Sequence, residues 1–466
     1  MAAFAGAGAT QSGGMAGPDV VIDSRLATPG SIFVALPGVH ADGHDFIAAA
    51  ASAGAVAAIC SRATEAPLEH LVVTDPLLGL TGLARGVIAE ATHSGLACIG
   101  ITGSSGKTST KDLLGQVLAA AGPTVSPQGS FNNEIGVPLT ALRVNEHTRY
   151  LVSEMGARGG GHIAWLCSIV PPDVGVVLNV GHAHLGEFGS VAGIAQAKGE
   201  LVEALRPEGW AVLNADDPLV AAMASRTTAR LAPFSVGGEP ATGDLRVWAE
   251  RSSADELQRH SFTLRSAGAV EASATVRLRG PGRHQVANAL AAAAVALALG
   301  LRAESVAEAL SAAVAQSQWR MQLTSRADGV LVVNDAYNAN PDSMLAALTT
   351  VSGMRRPGGR LVAVLGDMLE LGDEAPQQHE TLGSLAAGLG FEVVAVGSFA
   401  AEIARGVRRG SGTVTRVADR KEAVAVAGAD LQPSDVVVVK ASRGLALDVV
   451  ADALAAGPES QPGGAG

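Results

Sequence analysis

A phosphate-binding loop is the chemistry that this sequence indicates first. Residues 97–118, ACIGITGSSGKTSTKDLLGQVL, combine a short apolar run, a loop of small residues and a helical periodicity that Gly122 and Pro123 end. Backbone N–H groups in such a loop converge on an anion at the positive end of the helix. We expect Lys107 to reach the terminal phosphates of a nucleotide and the Thr108 hydroxyl to ligate magnesium.

The loop departs by one position from the general pattern G-x-x-x-x-G-K-[ST]. Ile101 stands where the first glycine is expected, and Gly100 precedes it. A chance glycine turn is the alternative, but the apolar run before the loop and the helical pattern after it favour a nucleotide site. The predicted nucleotide-binding residues of the loop are Gly103, Ser104, Ser105, Gly106, Lys107, Thr108 and Ser109.

Polar residues follow two further predicted strands, residues 150–153 and 174–178. The first strand ends at Glu154, and the second continues into Asn-Val-Gly-His-Ala-His. Ligands of parallel α/β sheets gather at the carboxyl ends of the strands, where an acid beside a phosphate loop is placed to hold magnesium directly or through water. Loop carboxylates are common, so Glu154 alone leaves a structural interpretation open. The neighbouring phosphate loop favours the functional one.

Lysine is rare in this chain. Only five of its 33 basic residues are lysine, so most positions that need only a positive charge carry arginine. Lysine and arginine differ in shape and chemistry, which makes the remaining lysines candidates for positions that require an amine. The candidates are Lys107, Lys198, which lies in a helix that Ser190 is expected to cap, and Lys440.

Composition excludes several classes of protein. A net charge of −11 without a basic block argues against a nucleic-acid partner, whose binding depends on phosphate neutralisation. The three cysteines are too few for a disulfide framework and indicate buried thiols in a reducing compartment. Residues 1–17 lack the features of a secretory signal and are predicted to be an unstructured tail, and the alanine-rich helix near residues 286–301 is expected to be buried rather than membrane-spanning. We therefore expect a cytoplasmic protein without stable membrane association.

Alternating strands and helices predict an α/β protein of three domains. Residues 1–95 form a small α/β domain, in which residues 20–47 alternate strand-like runs with turns. Residues 96–317 form a phosphate-loop domain with a mostly parallel sheet, and residues 239–279 within it change to the two-residue period of an antiparallel ribbon. Residues 318–466 form a doubly wound domain, with strands expected at residues 330–334, 360–365, 391–396 and 436–439 and a loose tail after Gly457.

A turn in the first domain offers a second anion-binding candidate. Asp23, Ser24 and Arg25 present a carboxylate, a hydroxyl and a guanidinium together, which suits a diphosphate or a uracil. An ordinary surface salt bridge is the alternative.

Taken in order, the motifs resemble the Mur ligase family, the ATP-dependent amide ligases of peptidoglycan synthesis. The resemblance covers almost the whole chain and rests on TGSSGKTSTK, Glu154, NVGHAHLGEFGS, the helix with Lys198, GRHQVANALAA and DAYNANPDS. The runs DSRLATPGSIFVALPG, SFNNEIGVPLTAL, DAYNANPDSM and GDMLELG look most like the members that add D-alanyl-D-alanine to a UDP-N-acetylmuramoyl-tripeptide. The Asp-Asn-Pro-Arg run of the diaminopimelate-adding relatives is absent.

The resemblance implies a mechanism and a set of site residues. ATP would phosphorylate the terminal carboxylate of the tripeptide, and the amine of D-alanyl-D-alanine would attack the acyl phosphate. The implied catalytic residues are Lys107, Lys198 and His184, and the implied magnesium ligands are Thr108 and Glu154 for one ion and His184 and a carbamylated Lys198 for a second. The remaining implied contacts are adenosine with Asn288, Asp335 and Asn338, phosphate with Arg320, and substrate with Ser24, Arg25, Asn132, Asn133, Ser442 and Arg443.

Two departures from the family pattern stand out. An alanine- and glycine-rich stretch replaces the strand and helix usual before Asp23, so the uridine-binding domain is expected to be shortened. The second departure is Ser109, which stands where threonine is usual. Separately, His182 is expected to be an ordinary loop residue. The identity of the third residue of the tripeptide stays open between lysine and a diaminopimelate isomer, and a monomer is the simplest expectation.

Two other function classes stay open beside the ligase. A related ligase such as folylpolyglutamate synthase would use a folate in place of the muramoyl peptide. A nucleotide-switched binding protein such as a GTPase would need a guanine-recognition run, Asn-Lys-x-Asp, which this sequence lacks.

The third domain is expected to select the amine and to close onto the central domain, because an exposed acyl phosphate is lost to water.

Overall fold

The computed structural model describes residues 8–9, 19–181 and 188–457, and its strands form three separate sheets. The three sheets follow one another along the chain, which confirms the predicted three-domain α/β fold. His182 and His184 lie outside the described residues, as do the predicted tail after Gly457 and most of the predicted N-terminal tail. The strand Gly8–Ala9 shows that the prediction of an unstructured stretch was wrong at these two residues.

The first sheet has five strands in the order β1-β5-β4-β3-β2. Only β1 runs antiparallel to its neighbour, and its two residues pair with the edge of β5, whose backbone groups would otherwise have no partner. The strands are β1 (Gly8–Ala9), β2 (Val20–Val21), β3 (Ile32–Val34), β4 (Ala57–Cys60) and β5 (Glu69–Val72), and the helices are α1 (Ile47–Ser52) and α2 (Pro76–His93).

The second sheet has nine strands in the order β14-β13-β12-β11-β10-β9-β6-β8-β7. The parallel strands are β6 (Ala97–Thr102), β7 (Thr124–Val125), β8 (Tyr150–Glu154), β9 (Val174–Val177), β10 (Trp210–Asn214) and β11 (Arg230–Ser235). The predicted antiparallel ribbon is present and has three strands: β12 (Leu245–Ala254), β13 (Arg259–Gly268) and β14 (Ala272–Pro281). Ile101 of β6 pairs in register with Glu154 of β8, which brings the phosphate loop and the strand-end acid to the same edge.

The helices of this region cover both faces of the sheet. They are α3 (Lys107–Ala119), α4 (Gly136–Ala141), α5 (His162–Ile169), α6 (Val191–Glu203), α7 (Pro218–Ala221), α8 (His284–Ala298) and α9 (Ala303–Ala312). The alanine-rich α8 is buried along most of its length and packs in one core with Leu114 and Leu118 of α3, as the sequence predicted. Within the described ranges, no helix has the length and apolar character that a membrane span requires.

The third sheet has six strands in the order β15-β16-β20-β17-β18-β19, and only β15 is antiparallel to its neighbour. The strands are β15 (Gln322–Ser325), β16 (Leu331–Asn334), β17 (Leu361–Leu365), β18 (Phe391–Val396), β19 (Val414–Val417) and β20 (Val436–Lys440). The helices are α10 (Pro341–Ser352), α11 (Ala375–Gly388), α12 (Ala400–Arg409), α13 (Arg420–Gly428) and α14 (Asp448–Ala456). The four predicted strands are present, each with a helix after it.

The three cysteines are buried free thiols, as predicted. Burial is the main cause that raises the pKa of Cys98 and of Cys167 to about 12. Neither thiol is therefore expected to ionise near neutral pH.

Candidate active site

The conformation of the phosphate loop depends on its glycines and on hydrogen bonds to an asparagine at the end of the neighbouring strand. Gly106 has a φ of +81°, and a Cβ atom there would lie 2.6 Å from Asn288 Oδ1, so both conformation and space require glycine. Ser105 N donates to Asn179 Oδ1 at 2.9 Å, and Asn179 Nδ2 donates to Ser105 O at 3.2 Å. Because the N-cap residue of α3 is Gly106, which has no side chain to cap the helix, the first N–H groups of α3 are available to an anion.

Thr108 and Glu154 form the centre of a buried hydrogen-bond network. The Thr108 hydroxyl donates to Glu154 Oε2 at 3.0 Å and lies 3.0 Å from Ser130 Oγ. Asn132 Nδ2 donates to the other carboxylate oxygen, Glu154 Oε1, at 2.8 Å. Thr108 and Glu154 are only 2% and 1% exposed, so their oxygens are oriented by protein contacts rather than by water.

Arg320 reaches this network from the segment that joins the second and third sheets. Its Nη2 donates to Thr108 Oγ1 at 2.9 Å and to Ser130 Oγ at 3.1 Å, and its guanidinium lies 4.2 Å from the centre of the Tyr337 ring. Trp319 and Met321, the residues on either side, have φ values of +57° and +50°. Two departures of this kind from ordinary backbone geometry, one on each side of the same residue, are typical of a functional position.

Lys107 lies over the loop that precedes it. Its Nζ donates to Gly103 O at 2.7 Å. Burial lowers the pKa of the Lys107 amine, the Glu154 carboxylate opposes this shift, and the Arg320 guanidinium adds to it. A bound anion would relieve the repulsion between the two cations.

Lys198 lies inside the protein rather than on a solvated helix face. Ser190 Oγ caps α6 by accepting from Gly193 N at 3.1 Å, as predicted, and Lys198 is 3% exposed. Burial, followed by repulsion from Lys107, lowers the pKa of the Lys198 amine well below its usual value. Its amine makes no hydrogen bond to any other described residue.

The third sheet contributes a buried ion pair to the side of the site that lies opposite the phosphate loop. Lys440 Nζ lies 2.7 Å from Asp335 Oδ2 and donates to Asn338 O at 2.9 Å. Asp335 Oδ1 accepts from Met321 N at 2.9 Å, which ties the pair to the segment that carries Arg320. On the central side, Asn288 Oδ1 accepts from the Thr110 hydroxyl at 3.2 Å.

These residues enclose a cavity of about 510 Å³ between the second and third sheets. Most predicted nucleotide and metal residues line it: Ser104, Ser105, Gly106, Lys107, Thr108, Ser109, Glu154, Asn288, Arg320, Asp335 and Asn338, together with the predicted substrate residues Asn132 and Asn133. The predicted residues that are described but do not line it are Gly103, Lys198, Ser24, Arg25, Ser442 and Arg443.

The Asp-Ser-Arg turn lies in the first sheet and is open to solvent. The Arg25 side chain is 87% exposed and pairs with Asp23 Oδ2 at 2.6 Å. Hydrogen bonds from Arg25 hold the pKa of the Asp23 carboxyl at about 2. The surface salt bridge is therefore present, and Arg25 keeps the exposure that an added ligand requires.

Ser442 and Arg443 follow β20 and bind within their own region. Ser442 Oγ accepts from Leu369 N at 3.0 Å and is buried. Arg443 Nη1 donates to Asp448 Oδ1 at 2.6 Å, and its guanidinium lies 4.1 Å from the centre of the Trp319 ring.

The cavity also has lining residues that the sequence analysis did not name. Ser130 and Tyr337 both contact Arg320, and Arg158, His162 and Asp342 line the cavity as well. Tyr337 and Asp342 lie inside the run DAYNANPDSM and Ser130 begins SFNNEIGVPLTAL, so these motifs were the available signal. Arg158 and His162 flank a glycine run with no signal of its own.

Family models match the chain in three consecutive segments. They are described as "Mur ligase family, catalytic domain" over residues 19–93, "Mur ligase middle domain" over residues 101–296 and "Mur ligase, glutamate ligase domain" over residues 319–443. Together they span most of the chain.

Similar proteins carry the name UDP-N-acetylmuramoyl-tripeptide--D-alanyl-D-alanine ligase. The protein of that name from Mycobacterium tuberculosis is 47% identical over 479 residues, which cover 94% of this chain and 92% of the relative. The Escherichia coli protein is 36% identical over 445 residues, with 93% of each chain covered.

Two solved structures have the same fold over nearly their full length. The crystal structure of MurF from Acinetobacter baumannii has a TM-score of 0.83 and 33% identity, and it covers 94% of this chain and 93% of its own. MurF from Thermotoga maritima in complex with ADP has a TM-score of 0.78 and 29% identity, covering 94% and 97%.

Proposed function

Because the chain belongs to the Mur ligase family, we propose that it joins D-alanyl-D-alanine to the terminal carboxylate of a UDP-N-acetylmuramoyl-tripeptide, at the expense of ATP. The observation that carries the proposal is the match to relatives of that name over more than nine-tenths of this chain. The cavity between the second and third sheets, with the phosphate loop on its wall, supplies the site for the reaction.

The chemistry needs an activated carboxylate. A free carboxylate is a poor electrophile, because attack by an amine would have to expel oxide. Transfer of the γ-phosphoryl group of ATP to a carboxylate oxygen gives an acyl phosphate and ADP. The dipeptide amine then attacks the carbonyl carbon, the carbon–oxygen bond to phosphate breaks, and an amide and inorganic phosphate are released.

Lys107 and Arg320 supply the positive charge that phosphoryl transfer requires. Negative charge spreads over the oxygens of the transferring group, and fixed cations in a water-poor site stabilise it. Lys107 is half-buried beside the loop, and Arg320 is oriented by Thr108, Ser130 and the Tyr337 ring. We assign the phosphate contacts to the loop, Lys107 and Arg320.

Magnesium fits the oxygen ligands that Thr108 and Glu154 offer at the centre of the network. Thr108 Oγ1 and Glu154 Oε2 lie 3.0 Å apart on the cavity wall, and a hydroxyl and a carboxylate are ligands that hard cations accept. We assign one ion to these two residues, and its chemistry when bound is to neutralise phosphate charge. We assign a second ion to His184 and a carbamylated Lys198, since a buried ammonium would repel a cation whereas a carbamate offers oxygen ligands.

The nucleoside contacts are assigned to the wall shared by the second and third sheets. Asn288, Asp335 and Asn338 line the cavity and are proposed to contact the adenosine. The Asn288 and Asp335 side chains accept hydrogen bonds inside the protein, from Thr110 and Met321, which fixes their orientation before a ligand arrives.

The other substrates are assigned by domain. We propose that residues 1–95 bind the UDP portion through Ser24 and Arg25, that residues 96–317 bind ATP and the peptide end through Asn132 and Asn133, and that residues 318–466 bind the dipeptide. Ser442 and Arg443 are the proposed contacts of the dipeptide carboxylate, and each would have to exchange a hydrogen bond within its own region for the substrate. Closure of the third domain would then protect the acyl phosphate from water.

We further propose that the enzyme acts as a monomer in the cytoplasm, where ATP and nucleotide-linked precursors are available. The buried, unpaired cysteines fit a reducing compartment.

Product analysis tests the proposal. The enzyme is incubated with ATP, magnesium and either a folate or a UDP-muramoyl peptide of two or three residues. Each mixture receives D-alanyl-D-alanine, D-alanine, L-glutamate or diaminopimelate, and products are identified by mass. We expect efficient ligation only for a tripeptide with D-alanyl-D-alanine. Efficient ligation of diaminopimelate to a dipeptide, or of glutamate to a folate, would contradict the proposal.

A further inference from the structure

A polar cluster on the side of the cavity that residues 96–317 form has no role in the chemistry described above. It consists of Glu134, Arg158 and His162, of which Arg158 and His162 line the cavity. Arg158 Nη1 donates to Glu134 Oε1 at 3.2 Å, and His162 Nε2 lies 3.7 Å from Glu134 Oε2. The cluster thus presents a guanidinium, an imidazole and a carboxylate next to one another.

Hydrogen bonds join the cluster to the reacting end of the cavity. Gly156 N donates to Asn132 O at 2.8 Å, and the Asn132 side chain in turn donates to Glu154. Arg158 follows Glu154 by four residues, so their Cα atoms are separated by at most roughly 14 Å. The backbone therefore keeps Arg158 in the neighbourhood of the acid at the reacting end of the cavity.

A second set of hydrogen bonds fixes the glycine run between Arg158 and His162. Glu200 of α6 accepts from Gly161 N at 2.6 Å and from Ala164 N at 3.0 Å, at the start of α5. The Arg158 and His162 side chains thus extend from an anchored backbone, which is what selective binding requires.

The cluster has hydrogen-bonding capacity that the described residues leave unfilled. Glu134 Oε2 is buried and has no hydrogen-bond partner among the described residues. The Arg158 side chain is 60% exposed, and in the described part of the chain its guanidinium bonds only to Glu134, through Nη1. A buried acceptor without a donor is costly unless a ligand supplies one, and the free edge of a guanidinium matches a carboxylate.

We propose that this cluster binds the side chain of the third residue of the tripeptide and selects one that ends in an ammonium and a carboxylate on the same carbon, as in diaminopimelate. The inference rests on the proposed function, which places the α-carboxylate of that residue beside Lys107 and Glu154. The diaminopimelate side chain extends roughly 6 Å beyond its α-carbon, enough to reach towards the cluster. Its distal carboxylate would pair with Arg158 and its distal ammonium with Glu134.

A lysine side chain satisfies only half of the cluster. Its ammonium can approach Glu134, but the Arg158 guanidinium receives no anion and repels the incoming charge. Sites that hydrogen-bond a substrate group discriminate strongly against analogues without it. We expect kcat/KM for the diaminopimelate tripeptide to exceed that for the lysine tripeptide by about tenfold or more.

Steady-state kinetics with three tripeptides tests the inference. The third residue is diaminopimelate, diaminopimelate with a distal carboxamide, or lysine, and the proteins are the wild type, Arg158→Met, Arg158→Lys and Arg206→Met. Arg206 is the matched control, because it is 66% exposed and pairs with a carboxylate, Asp173, but does not line the cavity. Arg158→Met should lower kcat/KM for diaminopimelate about 10- to 100-fold and should not lower the lysine value, because the repulsion of the lysine ammonium is removed, whereas Arg158→Lys should retain part of the preference.

The outcomes separate this inference from the proposed function. Equal kcat/KM for the three tripeptides with wild-type enzyme would overturn the selectivity of the cluster while leaving the ligase assignment intact. Equal losses for all three substrates in Arg158→Met, accompanied by a lower melting temperature, would show that the cluster only supports the loop. Ligation of none of the three tripeptides would overturn the proposed function itself.

Discussion

Thr108 and Arg25 both belong to predicted anion-binding motifs, but the protein constructs their surroundings in opposite ways. Thr108 is almost fully buried and contacts Glu154, Ser130 and Arg320, which come from three distant parts of the chain. Arg25 is 87% exposed, and its partner Asp23 lies two residues away. The first site is held in place before any ligand arrives, whereas the second is free to rearrange.

This difference in burial and in preorganisation distinguishes a site suited to catalysis from a site suited to substrate binding. Charge stabilisation in a transition state requires groups whose positions are fixed in advance in a site shielded from water. An exposed arginine that exchanges a carboxylate partner for a group of the substrate stabilises ground state and transition state alike and so changes KM more than kcat. Substitutions in the buried network should accordingly affect turnover, and those in the exposed turn should affect substrate affinity.

The largest effect is expected for Lys107→Ala. The substitution removes a half-buried charge that is proposed to face the transferring phosphoryl group, so kcat for phosphate release should fall by roughly a hundredfold or more while the fold persists. Lys421→Ala, which removes an exposed lysine from α13, is the control and should be fully active. Near-normal turnover of folded Lys107→Ala would remove the phosphate loop from the mechanism.

A comparably large loss is expected for Lys198→Ala if the side chain acts as a carbamate. A buried amine beside a proposed metal position is useful only once it carries oxygen ligands. Wild-type enzyme prepared in ¹³C-labelled bicarbonate should show a carbamate signal in its ¹³C NMR spectrum, and the signal should be missing from Lys198→Ala. Fully active wild-type enzyme without such a signal would exclude the carbamate.

An intermediate effect is expected for Arg320→Ala. Its guanidinium holds the Thr108 and Ser130 hydroxyls and is the second proposed phosphate contact, and a charge-assisted hydrogen bond contributes about 1.5–3 kcal/mol. We expect kcat/KM for ATP to fall about 10- to 100-fold. Arg416→Ala, an exposed arginine in β19, should leave the value unchanged. A change in the KM of the dipeptide alone would instead assign Arg320 to the amine substrate.

The smallest effect is expected for Arg25→Ala. Because this side chain is exposed, its loss should raise KM for the UDP-tripeptide by only about three- to tenfold, with kcat and thermal stability unchanged. Arg62→Ala, an exposed arginine of the same domain that pairs with Asp42, should change neither constant. An unchanged KM in Arg25→Ala would leave the turn as the surface salt bridge that the sequence also allowed.

Local patterns explain what the sequence could predict. The phosphate loop, the strand-end Glu154 and the capped helix with Lys198 each follow from a short stretch whose periodicity and capping residues determine a strand, a turn or a helix. The burial of α8 follows from the apolar run of alanine, leucine and valine that begins after Asn288.

Contacts between distant residues explain what the sequence could not predict. Arg320 and Thr108 are 212 residues apart, and their hydrogen bond depends on how the third sheet packs against the second. The edge strand β15 was missed because its four residues are exposed or half-buried and mostly polar, without the apolar pattern of the central strands. The cluster of Glu134, Arg158 and His162 was missed because Glu134 lies before α4 whereas Arg158 and His162 lie before and at the start of α5, and the two segments meet only in the folded protein.

Isotope transfer tests the central claim most directly. The tripeptide is prepared with ¹⁸O in its terminal carboxylate and is ligated to D-alanyl-D-alanine with unlabelled ATP, and the released phosphate is analysed by mass. Activation as an acyl phosphate predicts one ¹⁸O atom in each phosphate ion, because the carboxylate oxygen that accepts the phosphoryl group leaves with it. Phosphate without ¹⁸O, formed together with the amide product, would contradict this account.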